Sequence, residues 1–163
     1  MGSHIISLLF LVVLSSKLFG QVDDTGIRQI ILRNNNADST YKFQNRKDSS
    51  ETYLHYLGKI KSRNGRAYKI MTSCWRWGLD LHRATNRILI FNSRNRYLGN
   101  YYVITTDDLP TEIKANKLIF SNPPYSDCDP NLYTTVSFTY GIPQQFFRRC
   151  KGKYGDIYSF END

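Results

Sequence analysis

Histidine and cysteine are scarce in this chain, three of each in 163 residues, and the shortage excludes chemistry. A cysteine nucleophile needs a histidine partner. Beyond residue 20 only His55 and His82 remain, and neither sits in a recognisable cysteine-enzyme signature. There is no HExxH, no CxxC, no GxSxG and no glycine-rich phosphate loop. No cofactor or metal is therefore expected, and no residue is assigned as catalytic. The chain also lacks heptads, low-complexity tracts and any 20–50-residue repeat. Beyond its first residues it has no run apolar enough to cross a membrane.

The one long apolar run, 5–14 (IISLLFLVVL), has signal-peptide length and is too short to span a bilayer. Residues 1–20 read as an export signal cleaved after Gly20. The motif is imperfect, because Leu18 stands where a small residue is usual. Removing this stretch takes away Lys17 alone, which changes the formal charge from +8 to +7. The expected location is periplasmic or extracellular.

Export makes the cysteines readable, since an oxidising compartment favours disulfides. Cys128 and Cys150 bracket an expected hairpin, TTVSFT-YGIP-QQFFRRC, and are expected to pair. Cys74 lies mid-strand beside Trp75 and reads as a small buried apolar residue.

What the chain has in plenty is aromatic residues, 14% with twelve tyrosines, and turn signals between short apolar runs. Tyr and Phe suit pleated, half-buried surfaces. Asn64-Gly65 is a strong hairpin signal, because both residues tolerate the positive φ of a type I′ turn. Residues 92–95 (NSRN) read as a type I turn closed by Asn95 in the left-handed region. Between these turns, 66–77 puts Tyr68, Ile70, Thr72 and Cys74 on one face and Lys69, Met71, Ser73, Trp75 and Trp77 on the other. Neither face is cleanly polar, so this strand is expected to be covered on both sides over part of its length. Residues 87–91 are continuously apolar after Arg87, the mark of a central strand, and Gly99 in its partner reads as a bulge.

Eight strands follow from residue 53, at 53–62, 66–77, 87–91, 96–105, 117–120, 134–139, 144–150 and 156–160. The stretch 27–33 is open between a strand and a helical turn. The division is a signal at 1–20, an irregular segment at 21–52 with one or two short strands, and an antiparallel β domain at 53–163. The fold class is all-β. The expected form is a meander closed into a small barrel, with a two-sheet β-sandwich as the alternative.

Three sets of residues are candidates for function. In a meander, successive turns alternate between two ends. One end then collects Arg63, Arg66, Arg94, Arg96, Lys151 and Lys153 as a basic rim. Arginine forks there would grip an anionic partner such as an acidic glycan or a phosphate-bearing envelope polymer, while nucleic acid is not favoured. Solvated turn charges are the plainer reading of the same residues. Trp75 and Trp77, two apart on one face, are an aromatic stacking platform or core. Asp80 with His82, joined by Asp107-Asp108, could act as acid and base in a small hydrolase or bind a cation. Solvated loop residues and helix caps are the favoured reading of them. The expected function is a non-enzymatic binding or interaction module. A hydrolase or metal-dependent enzyme, and a structural envelope protein, are the alternatives.

Overall fold

The computed structural model describes residues 24–45, 49–78 and 83–162. The expected signal at 1–20, and Asp80 with His82, lie outside them.

Among the described residues the chain is all-β with one α-helix. Helix α1 (Thr25–Asn34) precedes ten strands: β1 (Ser39–Gln44), β2 (Glu51–Lys61), β3 (Ala67–Trp77), β4 (Arg83–Asn92), β5 (Tyr97–Val103), β6 (Glu112–Lys114), β7 (Lys117–Ser121), β8 (Tyr133–Ser137), β9 (Gln145–Lys151) and β10 (Tyr154–Glu161). They form a seven-stranded antiparallel sheet, β1-β2-β3-β4-β5-β10-β9, and a three-stranded one, β6-β7-β8. No described helix is long and apolar enough to cross a membrane.

The meander holds from β1 to β5 and then breaks. After β5 the chain leaves to build the smaller sheet. It returns as β9, and β10 inserts between β5 and β9. The expected hairpin before Cys150 is not a ladder: β8 pairs with β7, and β9 with β10. Nor do the ladders close into a barrel among the described residues. The two seams between the sheets are bridged by isolated hydrogen bonds instead, side-chain ones among them. At one, the Asn116 amide accepts from Lys61 N (2.8 Å) and donates to Lys61 O (2.6 Å). At the other, Arg149 N donates to Thr134 Oγ1 (2.8 Å). Prolines 123, 124, 130 and 143 stand in the two connections that flank β8 and supply no ladder N–H there.

The main core lies between the sheets. Ile60, Ile70, Ile88, Ile90 and Tyr101 of the larger sheet meet Leu118, Phe120 and Val136 of the smaller one. A second core lies on the opposite face, where Ile31 and Leu32 of α1 cover Leu54, Tyr56, Met71, Leu89 and Phe91. This double covering explains why both registers of β3 and β4 are apolar mid-strand. α1 takes the stretch whose conformation was open in the sequence. Its C-terminal end is fastened by Lys69, whose buried ammonium donates to Leu32 O (2.7 Å) and Asn95 Oδ1 (2.6 Å). A cation there answers the negative end of the helix dipole. Beside it, the Tyr56 hydroxyl donates to Asn35 Oδ1 (3.0 Å) in surroundings that push its pKa up to about 12 through desolvation.

Cys128 and Cys150 form a disulfide, and Cys74 is free and buried. The bridge spans 22 residues, and reducing it should lower stability by about 3 kcal/mol on the chain-entropy account.

Candidate functional site

Two turns of the larger sheet are fixed by local hydrogen bonds that hold arginines outward. In the β2–β3 turn, Ser62 N donates to Arg66 O (2.9 Å) and Gly65 N to Ser62 O (3.0 Å), with Gly65 at φ 81°. In the β4–β5 turn, Asn92 Oδ1 accepts from Arg94 N (2.9 Å) and Arg96 N (3.0 Å). Asn95 takes the expected left-handed conformation there, at φ 64°. Antiparallel order puts both turns at one end of the sheet. The β6–β7 turn joins them, because Asn116 is bonded to Lys61 at the head of β2.

This end therefore gathers Arg63, Arg66, Arg94 and Arg96, all exposed, with Lys61, Lys114 and Lys117. None of the three turns carries a carboxylate, and among the described residues none of these seven cations is in an ion pair. A cleft of about 390 Å³ opens beside Arg66, lined also by Tyr68, Asn92, Ile142, Phe160 and Asn162. Lys151 and Lys153 do not belong to this rim. β10 runs antiparallel to β5, which turns the β9–β10 hairpin to the other end. The alternating count of turns fails once the chain departs for the second sheet. The same departure brings in Lys114 and Lys117, which, with Lys61 at the end of β2, sequence reasoning missed.

The opposite end holds a groove of about 860 Å³ on the core-facing side of the larger sheet. Its walls include Tyr53, His55, Cys74 and Arg76 from the strands, with Thr106 and Thr111 from the connection after β5. His55 Nε2 is engaged by Asp38 Oδ1 at 2.9 Å. Cys74 Sγ lies 3.8 Å from Thr106 Oγ1, and burial pushes its thiol pKa up, against smaller opposite effects of that contact and of Arg76. A thiol held protonated is a poor nucleophile. In the native protein Cys74 should alkylate with iodoacetamide far more slowly than a free cysteine, and unfolding without reductant should release one reactive thiol. Ionisation is easier in the unfolded chain, so stability should fall as pH rises past the ordinary thiol value, about 8.5. Fast native alkylation would show that Cys74 is open to solvent.

Asp107 and Asp108 sit in a 3-10 turn, Thr106–Asp108, and serve structure. Asp108 Oδ2 accepts from Thr105 N (3.0 Å) and Thr105 Oγ1 (2.9 Å), closing a capping box. Asp107 Oδ1 accepts from the Tyr125 hydroxyl (3.2 Å). The buried guanidinium of Arg148 secures this corner. It donates through Nη1 to Asn122 Oδ1 (2.8 Å) and through Nη2 to Asp107 O. Among the described residues no three His, Cys, Asp or Glu side chains gather as a metal site needs.

Trp75 and Trp77 stack with ring centroids 4.4 Å apart and planes 15° from parallel. Alternation puts them on the face away from Cys74 and Arg76. Both are half-buried and neither belongs to the two apolar cores. Trp75 Nε1 is buried without a hydrogen-bond partner.

Neither the protein-family models, the curated proteins nor the solved structures contain a match to this chain. Its function must be argued from its own surfaces.

Proposed function

We propose that this protein is an exported, non-enzymatic binding module whose basic end holds an anionic polymer, such as an acidic glycan or a phosphate-bearing envelope polymer. The observation that carries this is the convergence of three separate turns, drawn from both sheets, into one end with seven cations and, among the described residues, no ion pair to them. Arginine is suited to this work, because its planar fork grips sulfate, phosphate and carboxylate groups bidentately. The cleft beside Arg66 offers a place where one acidic unit of a chain can settle while its neighbours reach Arg63, Arg94 and Arg96. The apolar run at 5–14 and the disulfide support export. The hydrolase alternative draws no support from Asp107 and Asp108, whose carboxylates are committed to the capping box and to Tyr125.

The test is binding to a sulfated polysaccharide and to polyphosphate at several salt concentrations. Affinity should fall steeply as salt rises. Replacing Arg63, Arg66, Arg94 and Arg96 together by Ala should weaken it by at least about tenfold. Replacing Lys151 and Lys153 at the other end should change it by less than about twofold. Equal losses from both sets would reduce the effect to net charge and remove the site.

A further inference from the structure

A second basic feature lies away from the turns, on the helix-covered face of the larger sheet. Arg87 of β4 is 7% exposed, and its Nε and Nη2 are buried without a hydrogen-bond partner. These two nitrogens form one edge of the guanidinium, the edge that takes an oxyanion side-on through two parallel N–H···O bonds. Arginine cannot shed its proton, so burial leaves a full charge that needs a counter-charge. The Tyr102 ring, 5.8 Å away, offers a π-face rather than an acceptor.

The surroundings deepen the deficit. Arg28 of α1 is close enough for the two guanidiniums to repel: its pKa is lowered first by burial and further by Arg87, against the pull of Asp24. The Asp24 carboxylate is taken by Arg28, at 2.6 and 2.8 Å from its two oxygens. One buried and one half-buried cation thus share one committed carboxylate. Both line a cavity of about 330 Å³ with Thr25, Gln29, Asn100 and Tyr102. Asn100 Oδ1 accepts from the Tyr97 hydroxyl (2.6 Å), which directs the amide's Nδ2–H groups elsewhere. The first turn of α1 also faces this cavity, and its dipole favours negative charge.

We propose that this cavity between α1 and the β4–β5 hairpin is a binding site for a small oxyanion, a phosphate or carboxylate group, taken by the guanidinium of Arg87, whose unpartnered edge turns toward the cavity to grip it. It is separate from the basic end, and needs one compact anionic group rather than a polymer. The Arg87 fork would grip the oxyanion, Arg28 would supply long-range attraction, and Asn100 a neutral donor.

The experiment is titration of the whole protein with inorganic phosphate, and separately with acetate, at constant ionic strength. Calorimetry and thermal unfolding give the readouts. Wild type should bind one equivalent of phosphate or acetate and melt higher in its presence, chloride having no such effect. The relative response to the two probes distinguishes a phosphate from a carboxylate ligand. Arg87→Lys keeps the charge and loses the fork, and should weaken binding about tenfold; Arg87→Met should abolish it. Asn100→Asp, which places a carboxylate in the cavity and keeps the acceptor for Tyr97, should abolish binding in a well-folded protein and raise the melting temperature of the anion-free form. The variant lacking Arg63, Arg66, Arg94 and Arg96 should keep full phosphate binding, so failure of the polymer reading leaves this site standing. No saturable binding to wild type, or binding undiminished in Arg87→Met and Asn100→Asp, would overturn the proposal.

Discussion

Replacing Arg148 by Met should destabilise the protein by about 3–5 kcal/mol, the usual cost of removing one partner from a buried charged cluster. For a chain of this size that is a fall of about 6–20 °C in melting temperature. The size follows from what this one guanidinium joins. It lies on β9 at 2% exposure and donates to Asn122 Oδ1 and to the Asp107 carbonyl. Its Nε stands 3.3 Å from Asp108 Oδ1, too poorly aligned for a hydrogen bond but close enough for charge attraction. Asn122 in turn donates to the carbonyls of Asp129 (2.8 Å) and Cys150 (3.3 Å). The 3-10 turn after β5, the end of β7 and the disulfide loop therefore meet through one side chain. Methionine keeps much of the volume and none of the donors. Asp108, 8% exposed, would then be a buried carboxylate without its cation. Urea unfolding with the disulfide intact gives the number. A loss below about 1 kcal/mol would mean that water replaces the guanidinium at little cost.

Replacing Gly99 by Ala should cost about 2–6 kcal/mol, combining backbone strain with a forced contact. Gly99 has φ 140°, a conformation that side-chain-bearing residues rarely adopt. An added Cβ would stand 2.2 Å from the Glu161 carbonyl oxygen and 2.7 Å from the Phe160 ring. The first of these is backbone and cannot swing aside. The expected bulge is present: Ile90 pairs with Gly99 while Phe91 pairs with Tyr97. The damage should be local to the β5–β10 seam, where Phe160 pairs with Tyr101 and Glu161 with Asn100. Amide exchange should quicken there and stay slow across β2 and β3. Gly65→Ala is the matched control, since its φ of 81° carries strain but nothing lies within 4 Å of the added carbon. Equal costs at the two positions would show that the close approach contributes nothing.

Local signals in the sequence were dependable, and non-local ones were not. The β2–β3 and β4–β5 hairpins were legible because Asn-Gly and the Asn92–Asn95 turn state their own geometry. The Cys128–Cys150 pair was also legible, though the hairpin offered as its reason does not form. Partner choice beyond neighbouring strands left no such mark. Residues 154–161 alternate like any strand, and alternation does not say that β5 is the partner. The basic rim inherited that gap, keeping its four arginines and losing Lys151 and Lys153. α1 was ambiguous because Ile27, Ile30 and Ile31 suit a strand as well as a helix; packing of Ile31 and Leu32 on the sheet decides it. Arg87 and Arg148 were passed over because arginine in a strand reads as a solvated charge. Only tertiary structure shows that both are buried.

The strand that sits between β5 and β9 is the latest of the described strands to leave the ribosome. Until residues 154–161 exist, β5 has a bare edge along Asn100 and Tyr101, and β9 has no neighbour in its own sheet. Hairpins β1 to β5 can form early from near contacts, whereas the pairing of Phe160 with Tyr101 must close a loop of some sixty residues. Folding should therefore be rate-limited by this final docking. The interval before it is when an unpaired, aromatic edge is open to a second chain, and when the protein is most exposed to aggregation.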